Sequence, residues 1–308
     1  MGVIGRCISA LLPDFKTEAV SLTGLRSENQ DNYLIIAQGS DGQPKARWLR
    51  DGSVAEETRA SWPARWIRLA VLDGMGGHTH GREIAESAVD ALRRLPPCRS
   101  AFKQRRAVVD LHRNLLRQFG TGQANSPGTT LVWAEIDRLR RCCHVLNLGD
   151  SRAWLGMDDR WHPLTYDHTL AEFGYRDGRI DTSAYAAESK RSDQRLAQAL
   201  GHGAWGVILD AEGHESFGFA PEIRLDATRD LSRSLQGHAD LRTIDLPRGA
   251  ALILATDGLW SETRCDLPPP TDLMVPGAIG EVARTAIDAG GTDNTTLVIG
   301  YFDPEPAS

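Results

Sequence analysis

The chain has 308 residues, with 35 Lys and Arg against 41 Asp and Glu, a formal net charge of −6, and 41% hydrophobic and 25% charged residues. That balance is ordinary for a soluble enzyme and offers no basic surface to nucleic acid or an anionic membrane. No stretch approaches the roughly 18 apolar residues of a membrane span.

The opening residues, MGVIGRCISALLPDF, lack the long apolar run and cleavage site of a secretory signal. Arg6 stands where a myristoylation pattern needs Ser or Thr. A cytoplasmic protein is expected, and a monomer. The cysteines, Cys7, Cys98, Cys142, Cys143 and Cys265, are odd in number and never spaced CxxC. That argues against zinc and against a disulfide framework.

In chain order, the first expected strand is 32–37 (NYLIIA), followed by a polar stretch, 38–64, that reads as a surface excursion. A strand at 66–72 (WIRLAVL) precedes two helices. In 81–94, Ile84, Ala88, Val89 and Leu92 share one face; in 101–119, Val108, Leu111, Leu115 and Phe119 do. Strands follow at 129–136 and 142–148, with Cys142 and Cys143 on opposite faces. The stretches 171–192 and 203–240 again read as excursions. A strand at 250–255, a helix at 278–289 carrying Ile279, Val282, Ala286 and Ile287, and a strand at 295–301 complete the chain. Neighbouring strands with hairpin-length gaps favour antiparallel pairing, and helices in separate blocks favour layers of sheet covered by helix.

Five aspartates sit at the edges of these strands. Asp31 precedes 32–37, Asp73 ends 66–72, Asp150 follows 142–148, Asp257 follows 250–255 and Asp293 precedes 295–301. One such Asp is usually a turn former. Five at strand mouths converge if the strands share a sheet edge, and converged carboxylates repel and raise one another's pKa. A hard divalent cation relieves that repulsion, and oxygen-only ligation selects Mg²⁺ or Mn²⁺ over zinc. In VLDGMGGH, 71–78, the glycines after Asp73 then let backbone approach an ion and present the Gly74 carbonyl.

Taken together, GLRSENQD (24–31), VLDGMGGH (71–78), PGTT (127–130), LGDSRAW (148–154), LTYDHTL (164–170), LAQALG (196–201), LATDGLW (254–260) and DNTTLVI (293–299) resemble, in order, the motifs of the metal-dependent protein Ser/Thr phosphatases of the PPM, or protein phosphatase 2C-like, family, in its bacterial form. The resemblance spans roughly residues 17 to 302, which implies one domain between a segment 1–16 and a tail 303–308. It implies an α+β fold, a four-layer α-β-β-α sandwich of two antiparallel sheets flanked by helices, with a flap at 171–192. It also implies hydrolysis of phosphoserine and phosphothreonine by a water activated between two metal ions, Mn²⁺ or Mg²⁺, without a covalent intermediate.

By the same resemblance Asp73 bridges both ions, the Gly74 carbonyl binds one, and Asp257 and Asp293 are direct ligands of the second. Asp31 acts through metal-bound water, and Asp150, together with Asp257, serves a third, weaker ion that bacterial members can bind, for which Asp177 and Asp181 are both open as further ligands. Arg26 grips the phosphate, as a permanently charged fork suits. Gln30 stands where many members carry Glu. Met75 occupies the position of a family histidine, and Met transfers no proton; His78 and His168 read as structural. The implied partner is a phosphoprotein substrate of a Ser/Thr kinase, with no nucleic acid and no membrane. Two other readings are a catalytically silent domain of this fold, which the surviving acids oppose, and a hydrolase of a small phosphoester.

Overall fold

The computed structural model describes residues 12–76, 80–120, 126–189, 195–209, 212–260 and 266–303. The expected sites at Cys7, His78 and Cys265, and the end of the expected flap, 190–192, lie outside the described residues.

Two large antiparallel sheets form the body. The smaller joins β1 (Phe15–Leu22), β16 (Thr295–Phe302), β15 (Ala251–Ala255), β9 (Arg152–Met157) and β10 (Arg160–Pro163), in that spatial order. The larger runs β14 (Leu241–Asp245), β8 (Cys142–Leu148), β7 (Leu131–Asp137), β5 (Trp66–Met75), β2 (Asp31–Gln38), β3 (Pro44–Arg50) and β4 (Ser53–Thr58), with the short β6 (Gly128–Thr129) paired to the end of β5. The sheets pack through Tyr33, Ile35, Leu69, Val71, Leu252 and Val298, all buried. Helices α1 (His80–Arg94) and α2 (Ala101–Phe119) cover the larger sheet through Ile84, Leu92, Val108 and Leu115. The smaller is covered through Ile279, Val282 and Ala286 of a C-terminal helix, Ala278–Asp288. This is the expected four-layer sandwich, and the expected helical faces are the buried ones.

Three expectations need correction. The strand expected to end at Leu72 runs on to Met75, because Gly74 and Met75 pair with Thr129 and Gly128. Asp73 therefore lies inside a strand, opposite Asp31 in the register of β2 and β5. The strand expected at 129–136 is interrupted at Thr130, whose N–H donates to the Asp73 carbonyl. The stretch 38–64 is no excursion: β3 and β4 extend the larger sheet and bury Ala46, Trp48 and Leu49. Strands β1, β9, β10 and β14 also escape the sequence reading. The other two excursions hold local structure: helices α3 (Leu170–Arg176) and α4 (Thr182–Glu188), and a separate three-stranded sheet of β11 (Gln198–Ala199), β12 (Gly203–Leu209) and β13 (Glu215–Ala220).

A buried ion pair fastens α1 to the larger sheet. Arg68 of β5, fully buried, binds Glu135 of β7 through Nε at 2.8 Å and Nη2 at 3.1 Å. Its other hydrogens go to the carbonyls of Leu92, Leu95 and Pro96, the end of α1 and the residues after it. Its guanidinium lies 4.9 Å from the ring of Trp62 and 4.8 Å from that of Trp133. Burial pushes the Glu135 carboxyl up, and Arg68 and Trp133 oppose that.

Removing one partner of such a pair strands a buried charge, whereas replacing both with apolar groups is far less costly. Arg68→Met is expected to lose about 3–5 kcal/mol in urea unfolding, with most of the loss recovered by the double change Arg68→Met/Glu135→Leu.

Candidate metal and phosphate site

The two sheets bring the acids to one end of their shared core. Residues 33, 35 and 37 of β2 and 67, 69 and 71 of β5 face the other sheet. Strand alternation therefore gives Asp31 and Asp73 the same inward face. Asp257 opens the turn after β15, Asp293 precedes β16, and β15 and β16 are neighbours in the smaller sheet. Asp150 lies in the turn between β8 and β9.

A cavity of about 610 Å³ opens over this end, lined in part by Arg26, Asp73, Thr130, Asp150, Leu196 and Asp293. Asp31, at 2% exposure, lies deeper.

Hydroxyls hold the acids in place. Thr256 donates to Asp31 Oδ2 at 2.7 Å, and its oxygen accepts from the Thr296 N–H at 2.9 Å, so Asp31 of the larger sheet is tied to the end of β15 and to β16 in the smaller. Thr130 Oγ1 accepts from the Asp73 N–H at 2.9 Å and lies 2.7 Å from Ser151 Oγ, joining Asp73 to the Asp150 turn. Gly149 in that turn has φ +116°, and a Cβ there would strike Thr130 at 2.7 Å. Gly74 is required by close packing: a Cβ would come within 2.1 Å of the Gly81 carbonyl oxygen.

The electrostatics follow from burial. Burial raises the Asp31 carboxyl to about 7, with Asp257 and Asp293 adding to the rise and hydrogen bonds from Thr256 and Thr296 opposing it. Burial, then Asp257 and Asp167, raises Asp150 to about 8. Asp73 is pushed well above the usual range by burial and then by Asp31, Asp257, Asp150 and Asp293. Asp257 is raised by burial and by Asp293.

Among the described residues, no three His, Cys, Asp or Glu side chains are already drawn to coordinating distance of one point. Asp293 is engaged by Arg26, whose Nη2 donates to its Oδ2 at 2.8 Å. Two oxygens nevertheless lack any donor although buried, Asp31 Oδ1 and Asp257 Oδ1. Buried carboxylate oxygens without partners cost free energy, and a hard cation supplies the missing charge. The donor set therefore fits Mg²⁺ or Mn²⁺.

The remaining candidates divide. Gln30 donates to Glu28 Oε1 at 2.7 Å through its amide. Asp177 accepts from Arg224 at 2.7 Å and Asp181 caps α4 through the Ala184 N–H, so both are engaged away from the cavity lining. Met75 lines the cavity. His168 is fully buried in a hydrogen-bonded cluster.

Sequence reasoning missed Arg152 and Asp167. They form a two-bonded pair at 2.8 and 2.7 Å, with the guanidinium 4.3 Å from the Trp260 ring. Both act on the charge of the acid cluster. Both lie inside family-like motifs, LGDSRAW and LTYDHTL, and that was the available signal.

The family model described as Protein phosphatase 2C matches residues 50–276. The chain belongs to the protein phosphatase 2C family. It is 25% identical over 252 residues to protein phosphatase PhpP of Streptococcus pneumoniae, covering 78% of this chain and 87% of that one. Among solved structures, the Mycobacterium tuberculosis serine/threonine phosphatase PstP/Ppp superposes with a TM-score of 0.59 at 22% identity, over 94% of this chain and 99% of that one. The S. agalactiae serine/threonine phosphatase gives 0.60 at 19% identity, over 94% and 100%. The catalytic domain of PstP in complex with two manganese ions gives 0.57 at 20%, over 94% and 98%. These structures share the fold. As a protein phosphatase 2C, the chain is a protein serine/threonine phosphatase. No helix among its described residues is long and apolar enough to cross a membrane.

The raised carboxyls fix a sign. A group whose folded pKa exceeds its unfolded value near 3.8 destabilises the fold increasingly as pH climbs through that interval. Without divalent cation, thermal stability is expected to fall between about pH 4 and pH 8, by roughly 5 °C or more. Added Mn²⁺ is expected to reverse the fall, and Asp73→Asn to flatten it; a midpoint that rises over this range in chelator would contradict the assignment.

Proposed function

We propose that this protein phosphatase 2C hydrolyses phosphoserine and phosphothreonine in proteins with two Mn²⁺ or Mg²⁺ ions, and that Asp73, Asp257, Asp293 and the Gly74 carbonyl hold them. Asp73 serves as the shared ligand, Asp31 acts at one remove, and Asp150 serves a third, weaker ion. The observation that carries this reading is the meeting of Asp31 and Asp73 from one sheet with Asp257 and Asp293 from the other beneath a cavity that Arg26 overlooks. Two such ions would supply an activated water and would neutralise charge on the phosphate.

The chain's own residues supply position and field. Arg26, half exposed and salt-bridged to Asp293, presents a guanidinium at the cavity mouth. Its planar fork suits two phosphate oxygens, and turning to them frees the Asp293 carboxylate for the ion. Arg152, held by Asp167 and Trp260, keeps fixed positive charge beside Asp150 and Asp257. Thr130 and Thr256 hold the acids in register. Met75 offers no proton to the departing alkoxide. The reading further assigns a cytoplasmic monomer acting on substrates of a Ser/Thr kinase.

The decisive assay is phosphate release from a phosphothreonine peptide with Mn²⁺. Asp73→Asn is expected to lower kcat more than about a hundredfold, beyond the loss typical of a residue that only orients a ligand. Chelator is expected to abolish turnover in the unaltered chain, and activity that survives chelation intact would sink the mechanism. Arg26→Ala is expected to raise KM about tenfold through loss of phosphate contacts.

A further inference from the structure

His168, Asp240 and Arg176 lie outside the acid cluster, and the two-metal mechanism does not use them. All three are buried, at 0, 2 and 7% exposure. The Gly149 N–H donates to His168 Nδ1 at 3.1 Å, and the Gln198 amide lies 2.6 Å from the same nitrogen. An Nδ1 that accepts carries no proton, so the ring is the Nε2–H tautomer, and Nε2 donates to Asp240 Oδ1 at 2.8 Å. The same oxygen accepts from Arg176 Nη1 of α3 at 2.7 Å, and Oδ2 accepts from the Asp226 N–H at 2.7 Å. Burial raises the Asp240 carboxyl, but His168 and Arg176 more than offset it and hold it below the usual range. Arg176 is held in turn by Glu172 of the same helix at 2.7 Å.

A continuous run of buried bonds thus leads from α3 to the amide of Gly149, the residue before Asp150. We propose that His168, Asp240 and Arg176 are positioning residues that couple the seating of α3 to the geometry of the Asp150 turn, so that Asp150 is held ready for its ion only while α3 is docked. Buried polar networks of this kind are rigid when complete and costly when broken. The proposal rests on the assignment of Asp150 to a third ion for its functional meaning, but the coupling itself is a property of the metal-free chain.

Native-state hydrogen exchange on the full chain in chelator tests it. Arg176→Lys keeps the charge but lacks the fork that reaches both Glu172 and Asp240, and it is the milder companion to Arg176→Met. In Arg176→Lys the amides of Phe173 in α3, of Asp177 at its C-terminal cap and of Gly149 are expected to exchange about tenfold faster, while Ala134 in the middle of β7 keeps its wild-type rate. His168→Gln, which can still accept and donate, is expected to protect Gly149 better than His168→Leu does. Manganese titrated into Arg176→Lys is expected to show its weakest binding step about tenfold weaker, with the tighter steps unchanged.

Loss of protection in α3 with Gly149 still at the wild-type rate would overturn the coupling. So would uniform acceleration that includes Ala134, which would make the network a general stabiliser. Failure of Mn²⁺ to bind the unaltered chain would instead refute the two-metal mechanism, and the exchange rates in chelator would still decide the coupling by themselves.

Discussion

Mutual repulsion among buried carboxylates is the constraint around which the molecule is arranged. Asp31, Asp73, Asp150 and Asp257 all have carboxyls driven up by loss of solvent and by one another. A fold with no use for them would have dispersed them to the surface, where water screens each charge. Here strands from two sheets carry them to a single seam, and the seam is stable only to the extent that positive charge is supplied. Arg26 and Arg152 supply part of it from the protein itself.

The scaffold around the seam answers this constraint with short, stiff connections. Threonines at 130 and 256 each bond both an acidic residue and a neighbouring turn or strand. Their β-branched side chains have few rotamers to lose, so they fix geometry at little entropic cost. On the opposite face of β5, Arg68 and Glu135 hold α1 to the sheet. The strand that carries Asp73 is therefore anchored on both faces, through polar bonds on the helix side and through Leu69 and Val71 between the sheets.

Much of this was legible in the sequence because the signals were periodic or chemical. The helical faces of α1 and α2 and the central strands announced themselves by spacing, and the five acids by their place beside apolar runs. What the sequence hid was mostly edge structure. β3 and β4 look polar because charged residues are interspersed with the few apolar ones, of which Ala46 and Trp48 are buried on the helix side and Leu49 between the sheets. β9 is hidden because glycine and charged neighbours dilute its apolar residues. The continuation of β5 past Asp73 is illegible because it depends on Gly128 and Thr129, more than fifty residues away. In the sequence Gly74 suggests an opening for an ion, whereas the contact that requires it is with Gly81. The partnership of Arg152 and Asp167 joins two motifs and shows only when they are folded together.

The register of β2 against β5 carries one last consequence. Asp31 and Asp73 share the inter-sheet face only because each lies an even number of residues from the buried side chains that precede or follow it on its own strand. Side-chain direction along a strand is a parity, with no intermediate value. One residue inserted or lost between Leu69 and Asp73 would turn the carboxylate out toward α1 and leave the strand otherwise well formed, whereas two would restore the direction and merely shift the depth. The tolerance of this region to length change is therefore odd–even; in β3, which carries no acid of the seam, the same arithmetic turns Ala46 and Trp48 out of their packing and leaves the carboxylates where they are.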